Sequence, residues 1–246
     1  MRREKIQVQV TKNFDGLRIL DDVRFSVYEN EFLVLVGPTG CGKTTLANII
    51  GGLVLPTGGQ VLFDGKPVDT RQHNLSFVFQ EPSCIPWRTL WEDVKIGLEI
   101  RGTEKKSLEE RVRRVIQVVG LKGFEDYYPH QISGGMKQRV AIARAYATDP
   151  DLLLMDEPFG HLDAQTRYLM QIEIIRIWEE MKRTVVFVTN NIEEAVFLAE
   201  RIIIFSKLPA KIRGEVRVDL PRLRDNISPE FLAIRSRVSE LCGVTE

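Results

Sequence analysis

The sequence predicts an α/β fold built on a parallel sheet, and three observations carry that prediction. Apolar runs recur at Phe32–Val36, Leu152–Met155, Val185–Val188 and Ile202–Phe205. Each run is apolar at every position, as a strand covered on both faces must be. Helical segments separate the later runs, and strands alternating with helices imply parallel pairing. A chain of 246 residues suits one such domain with an insertion.

Taken in order, Ile6 to Phe14 alternates apolar and polar, and Val23, Phe25 and Val27 alternate again, so residues 5–36 look like strands. A glycine-rich turn follows at 37–44. A helix starts near Lys43 and ends before Gly51-Gly52. Val61-Leu62-Phe63 and Phe77-Val78-Phe79 read as short strands, with Asp64-Gly65 as a turn signal. Residues 84–147 look mostly helical. There Ser107 and Glu110 form an expected capping box. Leu108, Val112, Val115 and Val119 form a stripe that Gly120 closes. A helix is expected after Ser133, and another from about Ala164 to Lys182 with Met170, Ile174, Ile177, Trp178 and Met181 on one stripe. The tail after Ser206 is an appendage whose role the sequence leaves open.

Composition excludes several classes. Apolar residues make 43% of the chain and charged residues 28%, which argues against a disordered chain. Lys+Arg and Asp+Glu are both 34, so the basic excess of a nucleic-acid binder is missing. Cys41, Cys84 and Cys242 lack the spacing of a disulfide framework or zinc site. No secretory leader is expected. Residues 44–63 carry no charge over a length that spans a bilayer. Gly51, Gly52, Pro56, Gly58 and Gly59 interrupt them, so they read as helix, turn and strand of a soluble, intracellular protein.

Gly37-Pro38-Thr39-Gly40-Cys41-Gly42-Lys43-Thr44 fits the pattern GxxxxGK[ST] between a strand and a helix, the context that confirms a phosphate-binding loop. Glycines let backbone N–H groups converge on phosphate oxygens. The helix N-terminus adds donors and a positive dipole end. Lys43 supplies a mobile charge for the β- and γ-phosphates, and the Thr44 hydroxyl is a Mg²⁺ ligand. Thr45 completes the candidate nucleotide-binding set. Cys41 reads as a small residue in a tight turn, because no resolving cysteine is near in sequence. At the end of the next apolar strand, Asp156 is the expected magnesium-side acid. Glu157 beside it is the expected general base for the attacking water.

About ninety residues after the phosphate loop stands Ile132-Ser133-Gly134-Gly135-Met136-Lys137-Gln138. With it the chain strongly resembles the ATP-binding subunits of ABC transporters over nearly all of residues 1–206. It is especially similar to the importer subgroup for nitrate, sulfonate and taurine. Phe79-Gln80-Glu81-Pro82, Pro86-Trp87, Pro129 to Met136 and Asp156 to Arg167 carry that likeness.

The resemblance implies a P-loop NTPase (RecA-like) core with an N-terminal antiparallel β subdomain and an inserted helical subdomain. The core would comprise 1–83 and 148–206, the helical signature subdomain 84–147, and the appendage 207–246. It implies that Phe14 stacks on adenine, although a core role for Phe14 is the plain alternative. It implies that Gln80 senses Mg²⁺ and the γ-phosphate, and that Ser133, Gly134 and Gly135 cap the γ-phosphate of a partner protomer. A serine N-cap followed by glycines leaves a bare helix N-terminus that an anion can approach. Asp163 would link two composite sites of a head-to-tail dimer, homodimeric or heterodimeric. ATP and Mg²⁺ are the implied cofactors. Integral membrane permease subunits are the implied partners, with an extracytoplasmic solute-binding protein acting indirectly and no nucleic acid. The implied location is peripheral, on the cytoplasmic face of the membrane. His130 reads as a loop histidine, Met136 as packing, and His161 carries no assigned chemistry.

One position departs from the family pattern. Val188-Thr189-Asn190-Asn191 aligns where the family has Thr-His-Asp, so Asn190 stands in place of a histidine that helps hold the attacking water. An Asn amide donates a hydrogen bond but cannot become charged. Losing one oriented donor costs up to about 10²–10³ in turnover by analogy with oxyanion donors. The expected activity is therefore ATP hydrolysis coupled to transport, with a slow or inactive ATP-binding clamp as the alternative. A role in translation or DNA repair fits poorly, because neither tandem ATPase units nor a long coiled-coil insertion is visible.

Overall fold

The computed structural model describes residues 2–243. Met1 and positions 244–246, the end of the expected appendage, lie outside the described residues. In chain order the first elements are β1 (Glu4–Phe14), β2 (Leu17–Tyr28), β3 (Phe32–Val36), α1 (Lys43–Ile50), β4 (Gly58–Phe63), β5 (Lys66–Pro67) and β6 (Leu75–Val78). There follow α2 (Leu90–Ile100), α3 (Lys105–Val118), a 3₁₀ turn (Pro129–Gln131), α4 (Gly134–Ala147), β7 (Leu152–Asp156) and α5 (Ala164–Met181). The chain continues through β8 (Thr184–Thr189), α6 (Ile192–Leu198), β9 (Arg201–Phe205), β10 (Ile212–Arg217) and α7 (Pro229–Cys242). It divides into two compact units, Met1–His73 with Lys182–Glu246, and Asn74–Met181.

The first unit holds an antiparallel sheet in the order β2-β1-β4-β5 and a second layer in the order β10-β9-β3-β8. In the second layer β3 runs parallel to both β8 and β9. All residues of β3, β8 and β9 are buried, as their uninterrupted apolar runs require. In β1, Ile6, Val8 and Val10 face the core and Gln7 and Gln9 face out. Helices α1 and α6 pack on this layer. A buried ion pair ties its strand starts together: Arg201 Nε donates to Glu31 Oε1 at 2.6 Å, and Arg201 Nη2 donates to the Ser26 carbonyl at 2.5 Å.

The C-terminal segment is part of this unit. β10 adds antiparallel to β9, and α7 packs on β9, β10 and α6. Arg224, 5% exposed, donates to the carbonyls of Val196, Phe197, Val218 and Leu220 at 2.6–3.3 Å. It thereby serves the C-terminal end of α6, whose carbonyls lack intrahelical partners. Burial pushes its guanidinium down to about 9, helped by the neighbouring charge of Arg222.

In the second unit β6 and β7 pair in parallel, and α2, α3 and α4 pack on one another. Thr89 and Glu92 form a reciprocal capping box at the start of α2. The box expected at Ser107 and Glu110 does not form: α3 begins three residues earlier than that box would start it, with Glu104 as its N-cap, and Ser107 lies inside the first turn. The bond from the Leu108 amide to the Glu104 carbonyl, 2.9 Å, starts the helix there, so Leu108 enters the core already in helical register. Asp93, 1% exposed, accepts from Arg144 Nη1 at 2.8 Å and from the Ile85 amide at 2.7 Å. Arg144 also donates to the Ser83 carbonyl. One buried pair therefore fixes the 83–85 loop to α2 and α4.

Replacing Arg224 by alanine strands four carbonyls that face away from water. The expected loss is about 2–4 kcal/mol, read in urea unfolding, with hydrogen exchange rising first at the end of α6 and in residues 218–228.

Candidate functional site

The phosphate loop is built by β3 and α1. β3 ends at Val36, fully inside the core, and the chain turns through 37–42 before α1 begins at Lys43. Gly42 makes the turn possible. Its φ is +106°, and a Cβ there would lie 2.7 Å from Ile19 Cγ2 of β2, so both backbone shape and space exclude a side chain. Lys43 folds back over the loop and is 4% exposed. Its Nζ donates to the carbonyls of Gly37 at 2.8 Å and Pro38 at 3.0 Å. Gly37 lies against Phe205 and the Cys41 thiol, which closes the rear of the loop with apolar groups. Cys242, at the end of α7, approaches the same region. Burial pushes its thiol up, against the positive charges of Arg213 and Lys43.

The donor set fits a polyphosphate. The first-turn amides of α2, α4, α6 and α7 are met by Thr89, Ser133, Asn191 and Ser228. α1 has Gly42 at its N-cap, no side-chain cap and no acid in its first turn. A helix start with a buried ammonium beside it and no capping oxygen favours an anion. Thr39, Gly40 and Thr44 are exposed at the loop surface, and Pro38 and Thr45 are half-buried.

Asn190 lies at the rim of this loop. It follows β8 directly, and its Nδ2 donates to Thr39 Oγ1 at 3.3 Å. The turn around it is rigid: Thr189 Oγ1 donates to Glu194 Oε2 at 2.5 Å and accepts from the Asn191 amide at 3.0 Å. Phe14 ends β1 and is 45% exposed, which removes the core reading. It pairs with Leu17 across the hairpin, two residues from the Ile19 that abuts Gly42.

The second unit carries the remaining candidates. Asp156 closes β7 at 7% exposure, and Glu157 follows it with φ +43°. Left-handed backbone costs a residue with a Cβ about 1–2 kcal/mol, and such strain gathers at functional sites. The turn closes with the Gly160 amide donating to the Glu157 carbonyl at 3.0 Å. A Cβ on Gly160 would lie 3.1 Å from Gln80 Nε2, so the Gln80 amide runs along the 157–160 turn. Arg167 of α5 holds the following loop by donating to the Phe159 and Leu162 carbonyls. Asp163 caps α5, accepting from the Thr166 amide at 3.0 Å, and that amide holds its carboxyl below the usual carboxylate range.

Ser133 caps α4, its Oγ accepting from the Met136 amide at 3.3 Å. Ser133 and Gly134 are exposed, and Gly135 touches Thr166. A Cβ on Gly134 would meet nothing within 4 Å, and its φ is ordinary. Nothing among the described residues requires a glycine there. His130 stacks on Tyr128 in the 3₁₀ turn before Ser133.

The structure thus gathers Gly37–Thr45, Asn190 and the Phe14 hairpin in one unit. In the other it gathers Gln80 with the Glu157–Gly160 turn, and it sets Ser133–Gly135 and Asp163 at two helix starts. Sequence reasoning did not single out Arg144 and Asp93, which fix the loop after Gln80. Both sit on helices whose apolar stripes were legible, and their pairing across 51 residues left no local signal.

A buried strand, a glycine-rich turn and an uncapped helix start holding a buried lysine define a nucleoside-triphosphate-binding α/β unit. The family profile described as ABC transporter matches residues 20–160, and the chain belongs to this family of ATP-binding cassette ATPases. An ABC transporter ATP-binding protein of Methanocaldococcus jannaschii is 49% identical over 243 residues, covering 96% of this chain and 91% of that protein. The aliphatic sulfonates import ATP-binding protein SsuB of Bacillus cereus is 41% identical over 228 residues, covering 93% and 90%. Among solved structures, the dimeric ABC transporter cassette MJ0796 aligns at TM-score 0.76 and 33% identity over 88% of this chain and 100% of that one. The same cassette in a post-hydrolysis state bound to ADP and Pi aligns at 0.75 and 32% identity over 88% of this chain and 100% of that one.

Two glycine substitutions separate folding from ligand contact. Gly42→Ala is expected to lower stability by about 2 kcal/mol and to remove nucleotide binding. Gly134→Ala is expected to leave the melting temperature unchanged and to lower steady-state ATPase activity. Thermal melts and an ATPase assay on both variants check this.

Proposed function

We propose that this chain is the ATP-hydrolysing subunit of an importer for a small anion of the sulfonate, nitrate or taurine kind. The observation that carries the reading is the phosphate loop with its buried lysine, in a chain 41% identical to a sulfonate-import ATP-binding protein over nine-tenths of that protein's length. No helix among the described residues is long and apolar enough to cross a membrane. In this reading the translocation path belongs to separate permease subunits, with this chain peripheral on their cytoplasmic face and a solute-binding protein delivering the solute outside.

In this reading Lys43 and the amides of 37–45 hold the phosphates of ATP, and Phe14 stacks on its base. Thr44, Asp156 and Gln80 would hold Mg²⁺, which when bound neutralises charge on the phosphate oxygens. Among the described residues no group of three His, Cys, Asp or Glu forms a metal cage. That suits Mg²⁺, which keeps waters and binds through few protein ligands plus substrate phosphates. Glu157 takes the proton of the attacking water, and Asn190 donates to the γ-phosphate. Ser133, Gly134 and Gly135 meet the γ-phosphate held by a second protomer. The bare surface at Gly134 supports this, since no contact among the described residues asks for a glycine. Asp163 connects the two sites of the dimer.

The helical subdomain, 84–147, carries the signature and the permease contact. A groove of about 320 Å³ lined by Phe77, Ile96, Gly97, Ile100 and Arg101 suits a short amphipathic segment of a membrane subunit. Ile100 is 80% exposed within it, a cost to a solitary protein that a partner removes.

A second reading rests on Asn190. A neutral amide bonded to Thr39 is a shorter and weaker phosphate contact than imidazole, and supports a slow clamp that binds ATP and turns it over rarely.

Glu157→Gln is expected to keep ATP binding, abolish hydrolysis and accumulate a closed dimer on size-exclusion chromatography with ATP. Turnover at the parent rate refutes the role of Glu157. Asn190→His is expected to change the ATPase rate less than threefold in the active-enzyme reading, whereas a gain of about a hundredfold supports the clamp.

A further inference from the structure

The hairpin that carries Phe14 has a cation built onto it. Lys12 and Phe14 are two apart on β1 and so share a face. The Lys12 ammonium sits 4.5 Å from the centroid of the Phe14 ring. It is fixed there by donating to the Leu55 carbonyl at 2.8 Å. The 55–57 loop that offers this carbonyl is itself tied to the same strand. The Thr57 amide donates to the Thr11 carbonyl at 2.9 Å, and the Asn13 amide donates to Thr57 Oγ1 at 3.0 Å. Among the described residues no other ring or cation lies against Phe14, which stays 45% exposed.

We infer that Lys12 is a positioning residue for the base of the nucleotide, acting through Phe14. The inference rests on the proposal that Phe14 stacks on adenine. A phenyl ring carries negative charge on both faces. A cation seated on one face draws that density toward itself. The opposite face becomes poorer in electrons and receives an electron-rich purine better. The same contact holds the ring in one orientation, so less side-chain freedom is lost when the base arrives. The phosphates are bound elsewhere, by the amides and Lys43. Lys12 therefore affects nucleotides that have a base and leaves a bare polyphosphate alone.

The test measures affinity calorimetrically on the full chain, with a non-hydrolysable ATP analogue and with inorganic tripolyphosphate. Lys12→Met keeps the length of the side chain and removes its charge. It is expected to weaken the ATP analogue by about twofold to fivefold with tripolyphosphate unchanged, and Lys12→Arg is expected to restore wild-type affinity. Phe14→Ala weakens the analogue at least as much. If Phe14→Ala weakens the analogue and Lys12→Met does not, the inference is overturned while the stacking role of Phe14 stands. If Lys12→Met weakens tripolyphosphate equally, Lys12 is a phosphate contact and the inference is overturned. If Phe14→Ala changes nothing, the stacking role fails and the inference fails with it.

Discussion

A buried ammonium group is the constraint from which this molecule is organised. Lys43 is almost wholly withdrawn from solvent, and its charge is carried by the carbonyls of the loop it belongs to. A charge in such a place must be met by oriented polar groups. The loop supplies them only because its backbone turns tightly, and the turn exists only because Gly42 adopts a shape that Ile19 leaves no room to alter. The fully buried β3 before it and α1 after it hold both ends. The same turn leaves a helix start without a capping side chain. Shape, charge and dipole agree on one ligand class, an extended polyanion.

The second unit shows the complementary arrangement. Its polar network immobilises loops rather than leaving them to solvent. The Asp93–Arg144 pair anchors residues 83–85, Arg167 anchors 159–162, and the Gln80 amide lies beside the turn that Gly160 closes on Glu157. The left-handed backbone at Glu157 is strain held by that scaffold. In the proposed mechanism Glu157 is the base that must meet water in one orientation, and a backbone that cannot relax favours that role.

Much of this was legible in the sequence because the signals were local. Phe32–Val36 announced a doubly covered strand, and the strand has those bounds. The helix after Lys43 ends before Gly51-Gly52 as the glycines require, and Ser133 caps α4. What failed also has a local cause. Ser107 and Glu110 have capping-box spacing, but so do Thr89 and Glu92. The pattern alone does not say which serine or threonine stands outside its helix, and α3 starts three residues earlier, with Glu104 as its N-cap. The strand expected at 77–79 begins two residues earlier, at Leu75, and ends at Val78, where β7 offers a partner. The tail after Ser206 was opaque because its structure comes from distant contacts. Arg224 finds its carbonyls on α6, and β10 finds its register on β9. Asn190 was recognisable as a departure, yet its bond to Thr39 spans 151 residues and had no sequence signature.

The central claim is that a triphosphate settles on the loop at 37–44 and that Lys43 holds it. Titrating the wild-type chain and Lys43→Ala with a non-hydrolysable ATP analogue and divalent ion tests it most directly. The account predicts one saturable site per wild-type chain and none for the variant at the same concentrations, with both chains folded. A wild-type chain that stays empty at saturating nucleotide, or a variant that binds as tightly as wild type, contradicts it.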